Sequence, residues 1–281
     1  MMTTLLGSRE NGDIVVWGVP MDFTASWRPG SRFAFDAIRL VSSSLELYSP
    51  YFDRSLEDVA FEDRGHAKLN WGDVGGSLEL IKEQAKSILE SGKKLISVGG
   101  DHLVSFPLIL ATKELYPDLK VVQFDAHTDL RQNFLGSELS HATVLRMVAD
   151  SLDLMSVAQI GIRSGEKEEF YWATGNTHFY PDKDFDVVSA AKEVVKVFKN
   201  KPVYVTVDID VLDPAFAPGT GTPEPGGCTS KELFKALYIL MENLNVIGAD
   251  LVEIAPDYDN SQRTAFLGAK IVREMILGIS K

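Results

Sequence analysis

Short apolar runs and amphipathic stretches alternate along the chain. The runs Ile14–Val19, Leu95–Val98, Val121–Phe124, Val157–Ile162, Val203–Asp210 and Val246–Ile254 predict strands, several of them rich in β-branched residues. Between them the apolar period lengthens to that of a helix. In Leu78–Glu90 the positions Ile81, Ala85, Ile88 and Leu89 share one face, and Gly92 follows as a C-terminal cap. Thr229 and Glu232 have the spacing of a capping box ahead of Leu233–Leu244, and a last helix is expected over much of Gln262–Leu277. Strands that alternate with helices pair in parallel through right-handed crossovers, with helices on both faces of the sheet. The pattern predicts one three-layer α/β/α domain over 1–281. No repeat or low-complexity linker divides the chain, and the Pro- and Gly-rich stretch Asp213–Gly227 reads as one long loop after a strand.

Composition narrows the picture. No apolar run reaches the roughly 18 residues of a membrane span, and Met1–Asp13 lacks the basic and apolar regions of a secretory signal. The single cysteine, Cys228, forms no internal disulfide and, in a Pro/Gly-rich loop, reads as incidental. A cytoplasmic protein is expected, with no membrane partner. Lys and Arg number 28 against 40 Asp and Glu, a formal net charge of -12. No basic face is available to neutralise phosphates, so nucleic acid is not expected as a partner. A surplus of this sign draws cations, either metal ions or a positively charged substrate.

Three strand candidates end in groups that ligate metals. Val121–Phe124 runs into Asp125-Ala126-His127-Thr128-Asp129, Val203–Val207 into Asp208-Ile209-Asp210, and Leu95–Gly100 into Asp101-His102. In extended chain, alternate residues point to one side, which places Asp125, His127 and Asp129 on one face. Ligand sites of open α/β sheets lie outside the carboxyl ends of the strands. If these strands are neighbours, His102, Asp125, His127, Asp129, Asp208 and Asp210 converge. A lone strand-end Asp is ordinarily a helix N-cap, and a lone His in a Gly-rich turn is ordinarily structural, but three strand ends that all supply ligands point to a common site. Six ligands exceed one tetrahedral zinc and suit two divalent ions sharing bridging carboxylates. Four carboxylates and two imidazoles are a hard set that favours manganese.

Three further features bear on chemistry. His141, beyond the loop Leu130–Leu139, either is a structural residue, the commoner case for a lone histidine, or shuttles a proton to a leaving amine. Glu253 sits at the end of another strand, where it either pairs with Arg263 or Arg273 or receives a guanidinium in bidentate fashion. The stretch Gly219–Pro223 offers backbone to line a pocket but lacks the Lys of a phosphate loop.

Read together, these motifs resemble the ureohydrolase family of arginases, agmatinases and relatives. The matching segments are GGDH (Gly99–His102), DAHTD (Asp125–Asp129), SH (Ser140-His141), the loop Asp208–Gly227 and VEIAP (Val252–Pro256), with RPGSRFAFDAIR (Arg28–Arg39) near the start. The resemblance implies a mainly parallel eight-stranded sheet between helical layers, assembled as homotrimers or homohexamers. It implies two Mn²⁺ per subunit, one held by His102, Asp125, Asp129 and Asp208 and the other by Asp125, His127, Asp208 and Asp210. It also implies that His141 carries a proton and that Glu253 holds a small cationic guanidino substrate. Arginase-like members carry an Asn two residues before the matching His; Leu139 stands there, and it makes no hydrogen bond to a carboxylate. That difference and the unbroken Pro214–Gly227 loop resemble the agmatinase branch, which implies hydrolysis of agmatine to putrescine and urea. Arginine and guanidinobutyrate are the alternatives within the class; a two-metal phosphoesterase and a non-catalytic binding protein are those outside it. One departure from the family is Ala142, where Gly is usual after the Ser-His pair.

Overall fold

A computed structural model describes residues 5–281, so the first four residues of the Met1–Asp13 segment lie outside the described chain. Eight strands form one sheet: β1 (Ile14–Gly18), β2 (Phe61–His66), β3 (Lys94–Val98), β4 (Lys120–Phe124), β5 (Val157–Ile160), β6 (His178–Tyr180), β7 (Pro202–Asp208) and β8 (Asn245–Val252). Their spatial order is β2-β1-β3-β8-β7-β4-β5-β6, and every neighbouring pair is parallel. Parallel strands buried on both faces explain the nearly continuous apolar runs.

Successive residues of a strand face opposite sides, and the core divides accordingly. Val15, Leu95 and Val121 pack with α2 (Val74–Glu90), α3 (Ser105–Leu115), α4 (Val144–Ser151) and α5 (Lys167–Asn176). Val16, Ile96 and Val122 pack on the other face with α1 (Ala34–Ser42), α6 (Val187–Val197), α7 (Ser230–Asn243) and α8 (Arg263–Ile279). Three layers result. Local signals act as expected: Thr229 and Glu232 close a capping box at α7, and Gly92, at φ 81°, turns the chain out of α2. Cys228 is buried, its thiol pushed up to about 12 by burial, and it donates to the Val211 carbonyl at 3.6 Å.

Two strands carry no clear hydrophobic signature. Both are edges: β2 reads Phe-Glu-Asp-Arg-Gly-His, and β6 is three half-exposed residues. An edge strand buries less, so its sequence need not be apolar throughout.

The topology builds the site. β3 and β4 follow one another in the chain, yet β8 and β7 lie between them in the sheet. The carboxyl ends of β3, β8, β7 and β4 are therefore adjacent, and GGDH, VEIAP, DID and DAHTD emerge side by side.

Candidate metal and active site

The strand-end residues leave extended geometry as soon as the sheet ends. Asp129 adopts φ 54° and Glu253 φ 62°, both left-handed; His102 and Ile209 each begin a single 3-10 turn. Asp125, His127 and Asp129 are thus not three steps along one extended face, as alternation predicts. The chain curls so that all six predicted ligands point inward. Left-handed backbone at a non-glycine residue costs about 1–2 kcal/mol, and here backbone bonds hold it. The Glu253 N–H donates to Gly100 O at 2.9 Å, and the N–H groups of Leu145 and Arg146 in α4 donate to Asp129 O at 3.0 and 3.2 Å.

Two overlapping sets form: His102 with Asp125 and Asp129, and His127 with Asp125 and Asp210. His102 Nδ1 lies 3.0 Å from Asp125, 3.1 Å from Asp129 and 3.4 Å from Asp208, and His127 Nδ1 lies 2.9 Å from Asp210 and 3.6 Å from Asp125. Backbone amides fix the carboxylates. The N–H of His127 donates to Asp125 Oδ1 at 2.6 Å, that of Ala126 to Asp210 Oδ1 at 3.0 Å, and that of Asp210 to Asp208 Oδ1 at 2.9 Å. Behind them, Gln159 donates to Gln123 and Gln123 donates to Asp125 Oδ2, each at 2.7 Å.

The donor set fits divalent ions. His102 Nδ1 and Asp210 Oδ2 are fully buried and hydrogen-bond to nothing among the described residues. The orientation of His102 is also set. Thr206 gives its hydroxyl hydrogen to the buried Asp250 at 2.6 Å, so it accepts from His102 Nε2 at 3.0 Å and turns Nδ1 to the carboxylates. There Nδ1 carries a proton in the metal-free protein and would offer its lone pair to a cation once that proton is displaced. Two orphaned buried atoms aimed into a carboxylate cluster match what a cation requires.

Electrostatics agree. Burial and the neighbouring Asp210 and Asp125 raise Asp208 well above the carboxylate range, and burial with Asp125 pushes Asp129 up to about 7. Burial opposes charge on His102 and His127, yet the surrounding carboxylates win, raising His102 well above its ordinary value and His127 to about 12. Burial likewise pushes Asp125 upward, but the two imidazoles outweigh it and hold Asp125 below its usual range. Protons stand in for cations here.

A stability prediction follows. The raised acids Asp129, Asp208 and Glu253 bind protons in the fold that the unfolded chain releases from about pH 4, and His127 keeps one that the unfolded chain loses near 6.5. The folded state thus binds more protons than the unfolded one, and stability falls as pH rises. The lowered His141 acts in the opposite sense up to about pH 6.5 but is outnumbered, and the lowered Asp125 is ionised in both states over this range and adds no slope. The melting temperature of metal-free protein is expected to drop by at least about 4 °C between roughly pH 5.5 and 8. Manganese raises it more at pH 8 than at pH 5.5, because ligands bind metal in their deprotonated form. A metal-free melting temperature that holds or climbs over this range would contradict the charge crowding.

The cage forms the floor of a cavity of about 320 Å³, whose walls include Ser26, Phe134, His141, Ala142, Thr222 and Glu253. Glu253 is buried, accepts the His102 N–H at 2.9 Å and has no ion pair among the described residues. Burial and the nearby Asp101 raise it well above the carboxylate range. Arg273 pairs instead with Glu274 at 2.5 Å. His141 stands edge-on to Phe134, with ring centroids 5.5 Å apart, and burial pushes its imidazole down to about 4. Leu139 lies outside the cavity, near Gly75 of α2.

Two participants, Glu224 and Thr24, escape a search for strand-end ligands, and Asp101, found at a strand end but not among the six ligands, acts beside them. Glu224, in the Pro-rich loop, accepts from Ser164 at 3.0 Å and comes within 3.9 Å of His127 Nε2. Asp101 and Thr24 join beside His141. A charged residue between two prolines was the only sequence signal for Glu224; Thr24 had none.

A fully parallel α/β/α fold whose strand ends gather two linked His/Asp sets defines a hydrolase of the binuclear-metal class. The chain belongs to the Arginase family, whose model matches residues 12–278. It is 51% identical over 273 residues to the agmatinase of Bacillus subtilis (strain 168), covering 97% of this chain and 93% of that protein. It is 50% identical over 273 residues to the agmatinase of Bacillus anthracis, covering 96% and 93%. Among solved structures, proclavaminate amidino hydrolase from Streptomyces clavuligerus superposes with a TM-score of 0.92 at 30% identity, covering 100% of this chain and 97% of that one. Agmatine ureohydrolase of Thermoplasma volcanium gives 0.89 at 30% identity, covering 99% and 94%.

Proposed function

We propose that this protein hydrolyses agmatine to putrescine and urea. The observation that carries the reading is the buried Glu253, without a cationic partner among the described residues, lining the same cavity as the cage. A carboxylate in that setting accepts a planar guanidinium in two parallel hydrogen bonds. Two Mn²⁺ would be held by His102, Asp125, Asp129 and Asp208 and by Asp125, His127, Asp208 and Asp210, with Asp125 and Asp208 shared. When bound, such a pair supplies a strong nucleophile from water at neutral pH and Lewis acidity.

The chain's own residues do the rest. Glu253 orients the guanidinium carbon over the cage. Water adds to that carbon, the C–N bond to the aminobutyl group breaks, and the amine leaves with a proton. His141 is neutral at pH 7 because burial lowers its pKa to about 4; it takes up the proton in the cavity and delivers it to the departing nitrogen. Leu139 lies against α2 and offers nothing to a substrate carboxylate, which favours agmatine over arginine, and the net charge of -12 attracts a dication. We place the enzyme in the cytoplasm, in polyamine synthesis, as a single-domain subunit of a homotrimer or homohexamer. Among the described residues no helix is long and apolar enough to cross a membrane.

The test is urea release by manganese-loaded protein from agmatine, arginine and guanidinobutyrate side by side. Agmatine is expected to lead in kcat/KM by roughly 10²-fold, since a substrate carboxylate would be desolvated without a partner. Faster turnover of arginine would overturn the substrate and leave the metal chemistry standing. No urea from any of the three, with two ions bound, would overturn the substrate class.

A further inference from the structure

One oxygen atom ties the loop after β1 to the turn that carries His141. The N–H and the hydroxyl of Thr24 both donate to Asp101 Oδ2, at 2.9 and 2.8 Å. Thr24 Oγ1 in turn accepts the backbone N–H of His141 at 3.0 Å and lies 3.4 Å from His141 Nδ1. Asp101 is fully buried, and its own N–H is anchored on Met21 O at 2.8 Å.

A hydroxyl has one hydrogen to give. That of Thr24 is spent on Asp101, so Thr24 presents only lone pairs to the imidazole. Ser140 Oγ also lies 3.4 Å from Nδ1, but it accepts the Ala142 N–H at 3.3 Å and its hydrogen is free to rotate toward or away from the ring. Ser140 suits either tautomer of His141; Thr24 suits one. With a proton on Nδ1 both oxygens accept. Without it, the lone pairs of Thr24 and Nδ1 face each other. The opposite ring nitrogen, Nε2, lies toward the cavity residue Ser26 at 3.5 Å.

We propose that Thr24, locked as a donor to Asp101, is a positioning residue that fixes the tautomer and orientation of His141 so that Nε2 is the atom that takes up and releases a proton in the cavity. The proposal rests on the reading of His141 as the proton carrier. It assigns the segment after β1 a part in turnover through Thr24, which acts by way of His141.

The test compares wild type, Thr24→Val, Thr24→Ser, His141→Ala and the double variant Thr24→Val/His141→Ala, as manganese-loaded full-length proteins with agmatine. Valine keeps the branched shape and removes the hydroxyl; serine keeps the hydroxyl. Thr24→Val is expected to lower kcat by roughly 10- to 100-fold, with KM within about twofold and manganese content unchanged. Thr24→Ser is expected within about threefold of wild type. In the His141→Ala background, Thr24→Val adds at most about a twofold loss, because residues acting through one another are not additive. A crystal structure of Thr24→Val is expected to show a turned His141 ring.

The proposal is overturned if Thr24→Ser is as impaired as Thr24→Val, if the losses multiply in the double variant, if the defect lies in KM or metal content, or if the ring keeps its wild-type angle. Thr24→Ala replaces Thr24→Val in every comparison if valine prevents folding. Full activity in His141→Ala alone would sink the proton-carrier reading, and is distinguishable from these outcomes.

Discussion

Asp125→Ala and Asp208→Ala proteins are expected to bind fewer than one manganese equivalent each and to release urea at least roughly 10⁴-fold more slowly than wild type, a loss within the 10⁶-fold or greater acceleration typical of enzymes. Asp125 belongs to both metal-directed sets, and Asp208 lies 3.4 Å from His102 Nδ1 while its other oxygen holds the backbone of Asp210. Removing either therefore disturbs both halves of the cage. Asp208→Ala should leave the fold intact, because it removes a buried carboxylate raised by its like-charged neighbours. Asp125→Ala is expected to lower the metal-free melting temperature, because the two imidazoles, the Gln123 amide and the His127 N–H lose their acceptor. Metal analysis by plasma mass spectrometry, beside a melting curve of the metal-free protein, checks both parts. A variant that keeps two ions would show the shared role to be misassigned.

His141→Ala is expected to retain both ions and to lose roughly 10² to 10⁴ in kcat, the usual worth of a positioned acid or base. The imidazole makes no ion pair with the cage among the described residues; its partners are Thr24, Ser140 and Ser26. Its loss thus leaves the ligands in place and removes only the proton path. Urea release against pH, with metal content measured on the same samples, separates this from an indirect effect. Wild-type turnover in the variant would require another group to protonate the amine.

How much of this the sequence discloses depends on the kind of signal. Buried parallel strands announce themselves because both faces demand apolar, often β-branched residues, so the six interior runs are legible. The edge strands Phe61–His66 and His178–Tyr180 are not, because water solvates part of each. The candidate cluster is legible too, since a core has no use for an abrupt change from Val and Phe to Asp and His at a strand end, and the structure brings these residues together. Ligand geometry is not: Asp129 and Glu253 reach the site through left-handed backbone, which alternation along an extended chain cannot anticipate. Contacts such as Thr24 with Asp101, 77 positions apart, carry no local signature at all.

The sheet order has a consequence for biosynthesis. β3 and β4, which carry His102, Asp125, His127 and Asp129, leave the ribosome early, but they become near neighbours only when β7 and β8 are threaded between them. A nascent chain ending before Asn245 has no Glu253 and no Asp250 behind Thr206, and its sheet is still open in the middle. Chains emerge amino-terminus first and domains fold as units, so catalytic competence arrives in a single late event. A chain truncated before Asn245 is therefore expected to release no urea from agmatine.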